Sequence, residues 1–253
     1  MLMKVSNMFR RITQRKCVTV IMLLILISII IYVVSRCSTE YYENFNYEPR
    51  VLKGFVTEKD ADYIKSIVLN EFKESVVGTT SYTKDHSIRK SETAWVDVKS
   101  EPRLQQIINK GVNIVVQDGQ EGKCYALPES TNWRNCEKLQ VVRYQPGGFY
   151  KPHYDTVERS KITDNTQKMY KIAGPRISTI IIVLSHPNEY GGGETEFPEL
   201  HKKFKVNKGD ALLFHNIDTH DNLFQKSRHG GNPLTYGEKQ IANIWIHEGL
   251  PPH

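Results

Sequence analysis

An α+β fold is predicted from the order in which two kinds of hydrophobic pattern occur along the 253-residue chain. The first half holds two amphipathic segments with helical spacing, whereas residues 138–248 hold short runs rich in β-branched and aromatic residues. Many short strands separated by Gly and Pro clusters are typical of a β-sandwich or jelly roll. Because the helices precede the strands, we expect them to buttress one of the sheets.

Both predicted helices have recognisable starts. The first begins near Thr57, where Asp60 lies at the position that completes a capping box. The second begins near Ser100-Glu101-Pro102, since proline is favoured in the first turn of a helix. Their apolar stripes are Ala61, Ile64, Ile67, Val68 and Phe72 in the first, and Leu104, Ile107, Ile108 and Val112 in the second. These stripes predict packing faces.

The N-terminal 35 residues predict a membrane anchor. Residues 1–16 carry five basic and no acidic side chains, and residues 17–35 (CVTVIMLLILISIIIYVVS) carry no charge. A helix of this length rises about 28 Å, close to the ~30 Å hydrocarbon core, and exceeds the apolar stretch of most cleaved signal peptides. We therefore expect a single transmembrane signal anchor over 17–35. The basic tail would stay cytoplasmic, and residues 37–253 would be lumenal, in the endoplasmic reticulum or an equivalent secretory compartment.

The chain beyond the anchor is nearly neutral. The net charge of +6 belongs mostly to the tail, since residues 36–253 carry 29 basic and 28 acidic side chains. This balance excludes an extended basic surface, so no nucleic-acid partner is expected. Residues 36–50 are polar and tyrosine-rich, which predicts a stem, and residues 51–253 then form the predicted catalytic domain.

Two cysteines of the domain, Cys124 and Cys136, lie in a polar, loop-like segment. A zinc site more often shows a two-residue spacing and a second pair, neither of which is present. In an oxidising lumen, a disulfide between Cys124 and Cys136 is the better interpretation.

The sequence His153-x-Asp155 predicts a metal site. Side chains at i and i+2 of a strand point to the same face, so one imidazole and one carboxylate would converge. A histidine from a distant strand would complete the two-His, one-carboxylate arrangement used for non-haem Fe(II) oxygen chemistry. His229 is the favoured third ligand because turn residues follow it before the last strand. The alternatives are His215, His220 and His247.

Lys239 opens the last apolar strand. A lysine that points into a barrel is costly unless it meets an anion, and the far carboxylate of a chelating 2-oxo acid would supply one. A zinc hydrolase would leave Lys239 unexplained, and the sequence contains no HExxH helix. The polar residues 156–175 directly follow the HxD motif, which suggests a mobile lid.

Residues 137–155, EKLQVVRYQPGGFYKPHYD, resemble the HxD strand pair of the prolyl 4-hydroxylases among the Fe(II)/2-oxoglutarate dioxygenases. The sequences RIST at 176, GGGETEFP at 191, GDALLF at 209 and RHGGNPLTYGEKQIANIWIH at 228 resemble later elements of that family. The resemblance covers about residues 50–250. It implies a double-stranded β-helix that uses Fe(II), 2-oxoglutarate, O2 and usually L-ascorbate.

Three sets of residues take roles from this resemblance. The iron ligands correspond to His153, Asp155 and His229. The groups that bind 2-oxoglutarate correspond to Lys239, on the 5-carboxylate, and to the hydroxyls of Tyr144 and Thr179. The positions that contact a peptide proline correspond to Tyr150, Arg176 and Trp245.

The implied activity is hydroxylation of peptidyl proline to 4-hydroxyproline in proline-rich or collagen-like peptides. Two alternatives stay open: the same chemistry on lysine, another side chain or a small molecule, and a membrane-tethered binding module with a degenerate metal site. Turnover of 2-oxoglutarate distinguishes the binding module from an enzyme, because turnover needs an intact site.

Overall fold

A computed structural model describes residues 22–33, 48–77, 83–118, 137–161, 174–218 and 222–248. The chain divides into two compact units, Met1–Asn46 and Tyr47–His253. In the first unit, residues 22–33 are helical. No helix within the described ranges has the length and apolar character needed to cross a membrane.

Several predictions fall on residues that the structure does not describe. These are the basic tail, the two ends of the predicted anchor (17–21 and 34–35), most of the stem, Cys124 and Cys136, His220, and positions 162–173 of the predicted lid.

Both predicted helices are present in the second unit, although one strand precedes them and three strands lie between them. Helix α1 spans Glu58–Ile67 and is capped by Thr57, whose hydroxyl accepts from the Asp60 amide at 3.1 Å. The Asp60 carboxylate in turn accepts from the Thr57 amide at 3.0 Å, which completes the capping box. Helix α2 spans Pro102–Gln117 and has its proline in the first turn.

The strands are β1 Arg50–Leu52, β2 Lys73–Glu74, β3 Arg89–Lys90, β4 Glu92–Val96, β5 Leu139–Tyr144, β6 Phe149–His153, β7 Arg176–Val183, β8 Tyr190–Gly192, β9 Thr195–Phe197, β10 Lys202–Phe204, β11 Ala211–His215, β12 His229–Gly231, β13 Leu234–Gly237 and β14 Lys239–His247. They form a seven-stranded sheet, β1-β11-β7-β14-β5-β4-β2, a five-stranded sheet, β10-β9-β12-β6-β3, and the pair β13-β8. The recorded pairings are antiparallel. The α+β prediction is confirmed, and the antiparallel sheets are consistent with a jelly roll.

One face of the seven-stranded sheet packs against the helices. Buried residues of α1 and α2 share one core with alternate residues of β7 and β14. These are Ala61 and Ile64 from α1, Leu104 and Ile108 from α2, Ile180 and Ile182 from β7, and Ala242, Ile244 and Ile246 from β14. The predicted buttressing of a sheet by the helices is therefore confirmed.

The opposite face of the same sheet contributes to a second core. It contains the intervening residues of the long strands, among them Val142, Ile181, Val183, Phe214 and Ile241. Because strand side chains alternate between faces, Lys239, Asn243 and Trp245 of β14 lie on this side with Ile241. The predicted site residues of β14, Lys239 and Trp245, therefore lie on the face of the seven-stranded sheet that is turned away from the helices.

Candidate active site

Two neighbouring strands of the five-stranded sheet bring the predicted metal ligands together. Strands β6 and β12 are paired so that His153 and His229 lie directly opposite each other. A side chain at Gly230 would come within 2.9 Å of the Tyr150 carbonyl, so glycine is needed for this close approach of the strands. Strand β6 ends at His153, and Asp155 lies in the turn that follows. The ligand atoms of His153, Asp155 and His229 all lie within 4.8 Å of one another.

Both imidazoles are held in the tautomer that a metal requires. Nδ1 of His153 lies 2.9 Å from the Lys151 carbonyl, and Nδ1 of His229 lies 2.9 Å from the Ser227 carbonyl. A carbonyl only accepts, so Nδ1 donates in each ring and the lone pair is on Nε2. The two Nε2 atoms lie 3.5 and 3.7 Å from the two carboxylate oxygens of Asp155, Oδ1 and Oδ2 respectively.

The charge states of the triad also suit a divalent cation. Burial by itself raises the pKa of Asp155, but attraction to His229, His153 and Arg176 outweighs it and holds the pKa well below its usual range. Burial lowers the pKa of His229 to about 4, against the opposing effect of Asp155. At neutral pH the site therefore offers a carboxylate and a neutral imidazole, as metal binding requires. Two imidazoles and one carboxylate fit Fe(II).

Two other predicted site residues contact Asp155. The hydroxyl of Thr179 donates to Asp155 Oδ2 at 2.8 Å, and the indole Nε1 of Trp245 donates to the same oxygen at 3.1 Å. In this structure, therefore, the residues predicted for 2-oxoglutarate and for a peptide proline both orient the carboxylate of the candidate metal ligand.

Arg176 lies in a buried polar network behind Asp155. Its Nη2 donates to Glu137 Oε2 at 2.7 Å, and its Nη1 donates to the Asp155 carbonyl at 3.0 Å. His247 Nε2 lies 2.8 Å from the other Glu137 oxygen. Burial raises the pKa of Glu137, but Arg176 and His247 outweigh it and lower the pKa to about 2. The guanidinium also lies 3.5 Å from the centre of the Trp245 ring, so it forms part of the wall of the site.

Tyr150 packs on a candidate ligand. Its ring is stacked on His153 with centroids 3.6 Å apart, and the Arg89 guanidinium lies 4.6 Å from the Tyr150 centroid. Arg89 is buried and donates to the hydroxyls of Ser91 and Thr93 at 2.8 and 3.3 Å. Tyr150 therefore restricts the orientation of His153, whatever else it contacts.

Lys239 is a buried ammonium next to Tyr144, its cross-strand partner on β5. Its Nζ donates to the Gly193 carbonyl, and no carboxylate of the described residues forms an ion pair with it. Burial lowers its pKa to about 8, with Glu194 opposing and Lys205 adding to the shift. A buried cation whose hydrogen-bond partner is a neutral carbonyl suits an anionic ligand such as the 5-carboxylate of 2-oxoglutarate.

The other candidate third ligands lie elsewhere or outside the described residues. His215 is on the helix-facing side of the sheet, where its Nδ1 lies 2.8 Å from the Ser178 hydroxyl. His247 pairs with Glu137. Of the histidines whose positions the structure describes, His153 and His229 are those grouped with Asp155.

Three residues at or beside the site were missed from the sequence, Glu137, Arg89 and Trp95, and His247 was considered only as a possible metal ligand. His247 continues the alternation of Lys239, Ile241, Asn243 and Trp245 along β14, and that period was the available signal. Trp95 lies on β4, is 48% exposed, and has its ring centroid 5.9 Å from that of Trp245. No local pattern pointed to β4 as part of the site.

Comparison with known proteins agrees with this geometry. The family model described as the 2OG-Fe(II) oxygenase superfamily matches residues 139–247. The chain is 36% identical over 165 residues to a protein of Acanthamoeba polyphaga mimivirus whose name assigns it provisionally to the prolyl 4-hydroxylases, covering 65% of this chain and 60% of that protein. It is 27% identical over 200 residues to prolyl 4-hydroxylase subunit alpha-2 of Caenorhabditis elegans, covering 78% of this chain and 34% of that subunit. The chain thus spans less than two thirds of each of these relatives.

A solved structure is similar over most of the chain. It is the viral collagen prolyl hydroxylase of Paramecium bursaria Chlorella virus 1 in its 2OG complex, with 28% sequence identity and a TM-score of 0.59. The similarity covers 79% of this chain and 96% of the viral chain. Residues 139–247 therefore match the 2OG-Fe(II) oxygenase superfamily model, and prolyl 4-hydroxylases are among the proteins that the chain resembles.

Proposed function

We propose that this chain is a 2-oxoglutarate-dependent dioxygenase that hydroxylates peptidyl proline to 4-hydroxyproline. The observation that carries the proposal is the convergence of His153, Asp155 and His229 into one set of metal-ligand atoms. The names of the relatives, which include prolyl 4-hydroxylases and a viral collagen prolyl hydroxylase, support proline as the substrate residue.

Different residues of the chain would bind Fe(II) and 2-oxoglutarate. Nε2 of His153 and of His229 and one oxygen of Asp155 would hold Fe(II), which with 2-oxoglutarate supplies the oxygen chemistry when bound. Lys239 would pair with the 5-carboxylate, and the Tyr144 hydroxyl is the neighbouring group on β5. Both side chains are buried. A carboxylate that binds Lys239 therefore loses its hydrogen bonds to water and gains a charge-assisted hydrogen bond from a fixed ammonium.

An extended, proline-rich peptide suits the aromatic residues of the wall. Tyr150 and Trp245 lie beside the metal ligands, and exposed Trp95 extends the aromatic surface from Trp245 on the seven-stranded sheet. Trp95 pairs with Gln140, which pairs with Asn243, so two amides lie beside the aromatic positions on the same face of the sheet. Polyproline II segments have no internal hydrogen bonds and bind aromatic-lined grooves at low entropic cost.

Two further proposals depend on other evidence. Ascorbate as a reductant follows from the family resemblance. A single-pass anchor over residues 17–35, with residues 37–253 in a secretory lumen, follows from the uncharged span and the five preceding basic residues. Protease added to sealed membranes should spare residues 37–253, and digestion of that domain would reverse the proposed orientation.

A peptide panel tests the activity. The protein is incubated with Fe(II), 2-oxoglutarate, ascorbate and either (Pro)n or collagen-like Gly-X-Pro peptides, and peptides are analysed by mass spectrometry. We expect proline to gain one oxygen as succinate forms. If lysine or a free small molecule alone gains oxygen, the dioxygenase proposal stands and the prolyl proposal is wrong. Absence of 2-oxoglutarate turnover with every substrate would favour the binding-module alternative.

A further inference from the structure

Asn216 is a fully buried amide immediately after β11, and neither the metal triad nor the proposed ligand contacts need it. We infer that Asn216 is a positioning residue for the metal ligand Asp155, acting through the hydroxyl of Thr179. The inference deepens the proposed function and rests on it, because it assigns Asn216 a part in metal binding at the same site.

The contacts form a chain of two hydrogen bonds. Asn216 Nδ2 donates to Thr179 Oγ1 at 2.9 Å, and Thr179 Oγ1 donates to Asp155 Oδ2 at 2.8 Å. A hydroxyl has a single proton, which rotates freely unless a partner fixes it. By donating to the Thr179 oxygen, Asn216 leaves that proton to be given to Asp155.

The backbone holds Asn216 in place for this contact. Its amide donates to the Ile177 carbonyl at 2.7 Å, and its own carbonyl accepts from the Phe224 amide at 2.9 Å. Phe214, two residues before Asn216, is the direct cross-strand partner of Thr179. The side chain therefore reaches Thr179 from a backbone that is fixed on both sides.

The single proton of the Thr179 hydroxyl also determines the orientation of the Asn216 amide. A reversed amide would place its oxygen against the Thr179 oxygen, and the two acceptors, Asn216 and Asp155, would compete for one proton. In the observed orientation Asn216 Oδ1 is buried and accepts no hydrogen bond from any described residue. A buried amide oxygen that accepts no hydrogen bond lowers the stability of the fold, so the presence of Asn216 favours a role for its Nδ2 donor.

The hydrogen bonds to Asp155 influence which of its carboxylate oxygens would coordinate the metal. Asp155 Oδ2 lies 3.7 Å from Nε2 of His229 and Oδ1 lies 3.5 Å from Nε2 of His153, but Oδ2 also accepts hydrogen bonds from Thr179 and Trp245. Two donors on one oxygen fix the plane of the carboxylate and favour coordination through Oδ1. Loss of such an outer partner typically weakens metal binding 10- to 100-fold.

A metal titration of the full chain tests the inference without measuring turnover. Co(II) alone is added to the metal-free protein, and the d–d absorption gives the Kd for wild type, Asn216→Ala, Thr179→Val and the double variant. We expect a rise in Kd of roughly 10- to 100-fold for each single variant. In the Thr179→Val background, Asn216→Ala should cause no further rise, because its effect passes through the missing hydroxyl.

Two other variants control for folding. Ser178→Ala removes a neighbouring buried hydroxyl that contacts His215 on the opposite face of the sheet, so its Co(II) Kd should match wild type. If Asn216→Ala does not fold by circular dichroism, Asn216→Leu keeps a side chain of similar size, has no donor, and should raise the Kd to a similar extent.

The possible results distinguish a failure of the inference about Asn216 from a failure of the proposed function. A wild-type Kd in a folded Asn216→Ala or Asn216→Leu variant overturns the inference, and so does a full additional loss in the Thr179→Val background. Absence of any Co(II) site in the wild-type protein would instead refute the proposed function, and the role of Asn216 with it.

Discussion

Replacing Lys239 with methionine should make the ligand-free protein more stable at neutral pH. Burial lowers the pKa of Lys239 from 10.5 to about 8, and each pKa unit corresponds to about 1.36 kcal/mol, so its charge costs about 3 kcal/mol of folding free energy. Methionine keeps the length of the side chain but leaves the Gly193 carbonyl without its donor, a loss of about 1 kcal/mol. We therefore expect a net stabilisation of about 2 kcal/mol at pH 7.

The difference in stability between Lys239→Met and wild type should depend on pH. Because the folded pKa of Lys239 lies below the unfolded one, the cost of its charge is fully present below about pH 8 and disappears as the pH rises to 10.5. Urea unfolding at pH 7, 8, 9 and 10 should show wild type gaining stability relative to Lys239→Met. By pH 10 wild type and Lys239→Met should have nearly equal free energies of unfolding.

The same substitution should weaken the response to 2-oxoglutarate. At a concentration of 100 Kd the ligand stabilises wild type by about 2.7 kcal/mol. Loss of a charge-assisted contact of about 1.5–3 kcal/mol weakens binding roughly 10- to 150-fold, so the variant should gain far less. Lys205→Met is the matched control, because exposed Lys205 also donates to a backbone carbonyl, that of Tyr190 at 3.1 Å. A variant that is less stable at pH 7, yet equally stabilised by the ligand, would refute the reasoning.

Four shorter predictions follow from the site. His229→Ala should abolish Fe(II) binding and succinate formation while His220→Ala retains both, and the opposite result would assign the third ligand to His220. The KM for 2-oxoglutarate should rise above about pH 8 as Lys239 loses its proton; a flat profile would remove Lys239 from the cofactor site. Trp95→Ala should raise the KM for a proline-rich peptide roughly 2- to 10-fold with no change in the KM for 2-oxoglutarate. Arg176→Ala should lower the free energy of unfolding by about 3–5 kcal/mol, since it breaks a buried ion pair, and an unchanged urea midpoint would contradict that role.

The fold was predictable where the strands are long. The run RISTIIIVLS became β7 and IANIWIHE lies in β14, because continuous β-branched residues fit a strand buried on both faces. Of the strands before residue 138, β1, β2 and β3 were missed because they are two or three residues long and too short to show a period. Their place is set by pairing with distant strands, as for Arg50 opposite Leu213.

The site was predictable to the level of which residues meet, but not of what each one contacts. His153 and Asp155 are close in sequence, and His229 joins them through cross-strand pairing. In contrast, Arg176 and Glu137 are 39 positions apart, and nothing local in the sequence indicates that their side chains pair. Polar contacts inside a sheet depend on register, which the hydrophobic pattern alone leaves open for buried strands.

The division of the seven-stranded sheet into two faces has a consequence for evolution. On β14, Ala242, Ile244 and Ile246 pack with the helices, while the intervening positions carry Lys239, Asn243 and Trp245. Selection for folding and selection for chemistry therefore act on alternate residues of one strand. A substitution at Asn243 can change what the site accepts without disturbing the helix-facing core. Conversely, a single inserted residue would exchange the two sets, so this strand can tolerate substitutions far better than changes of length.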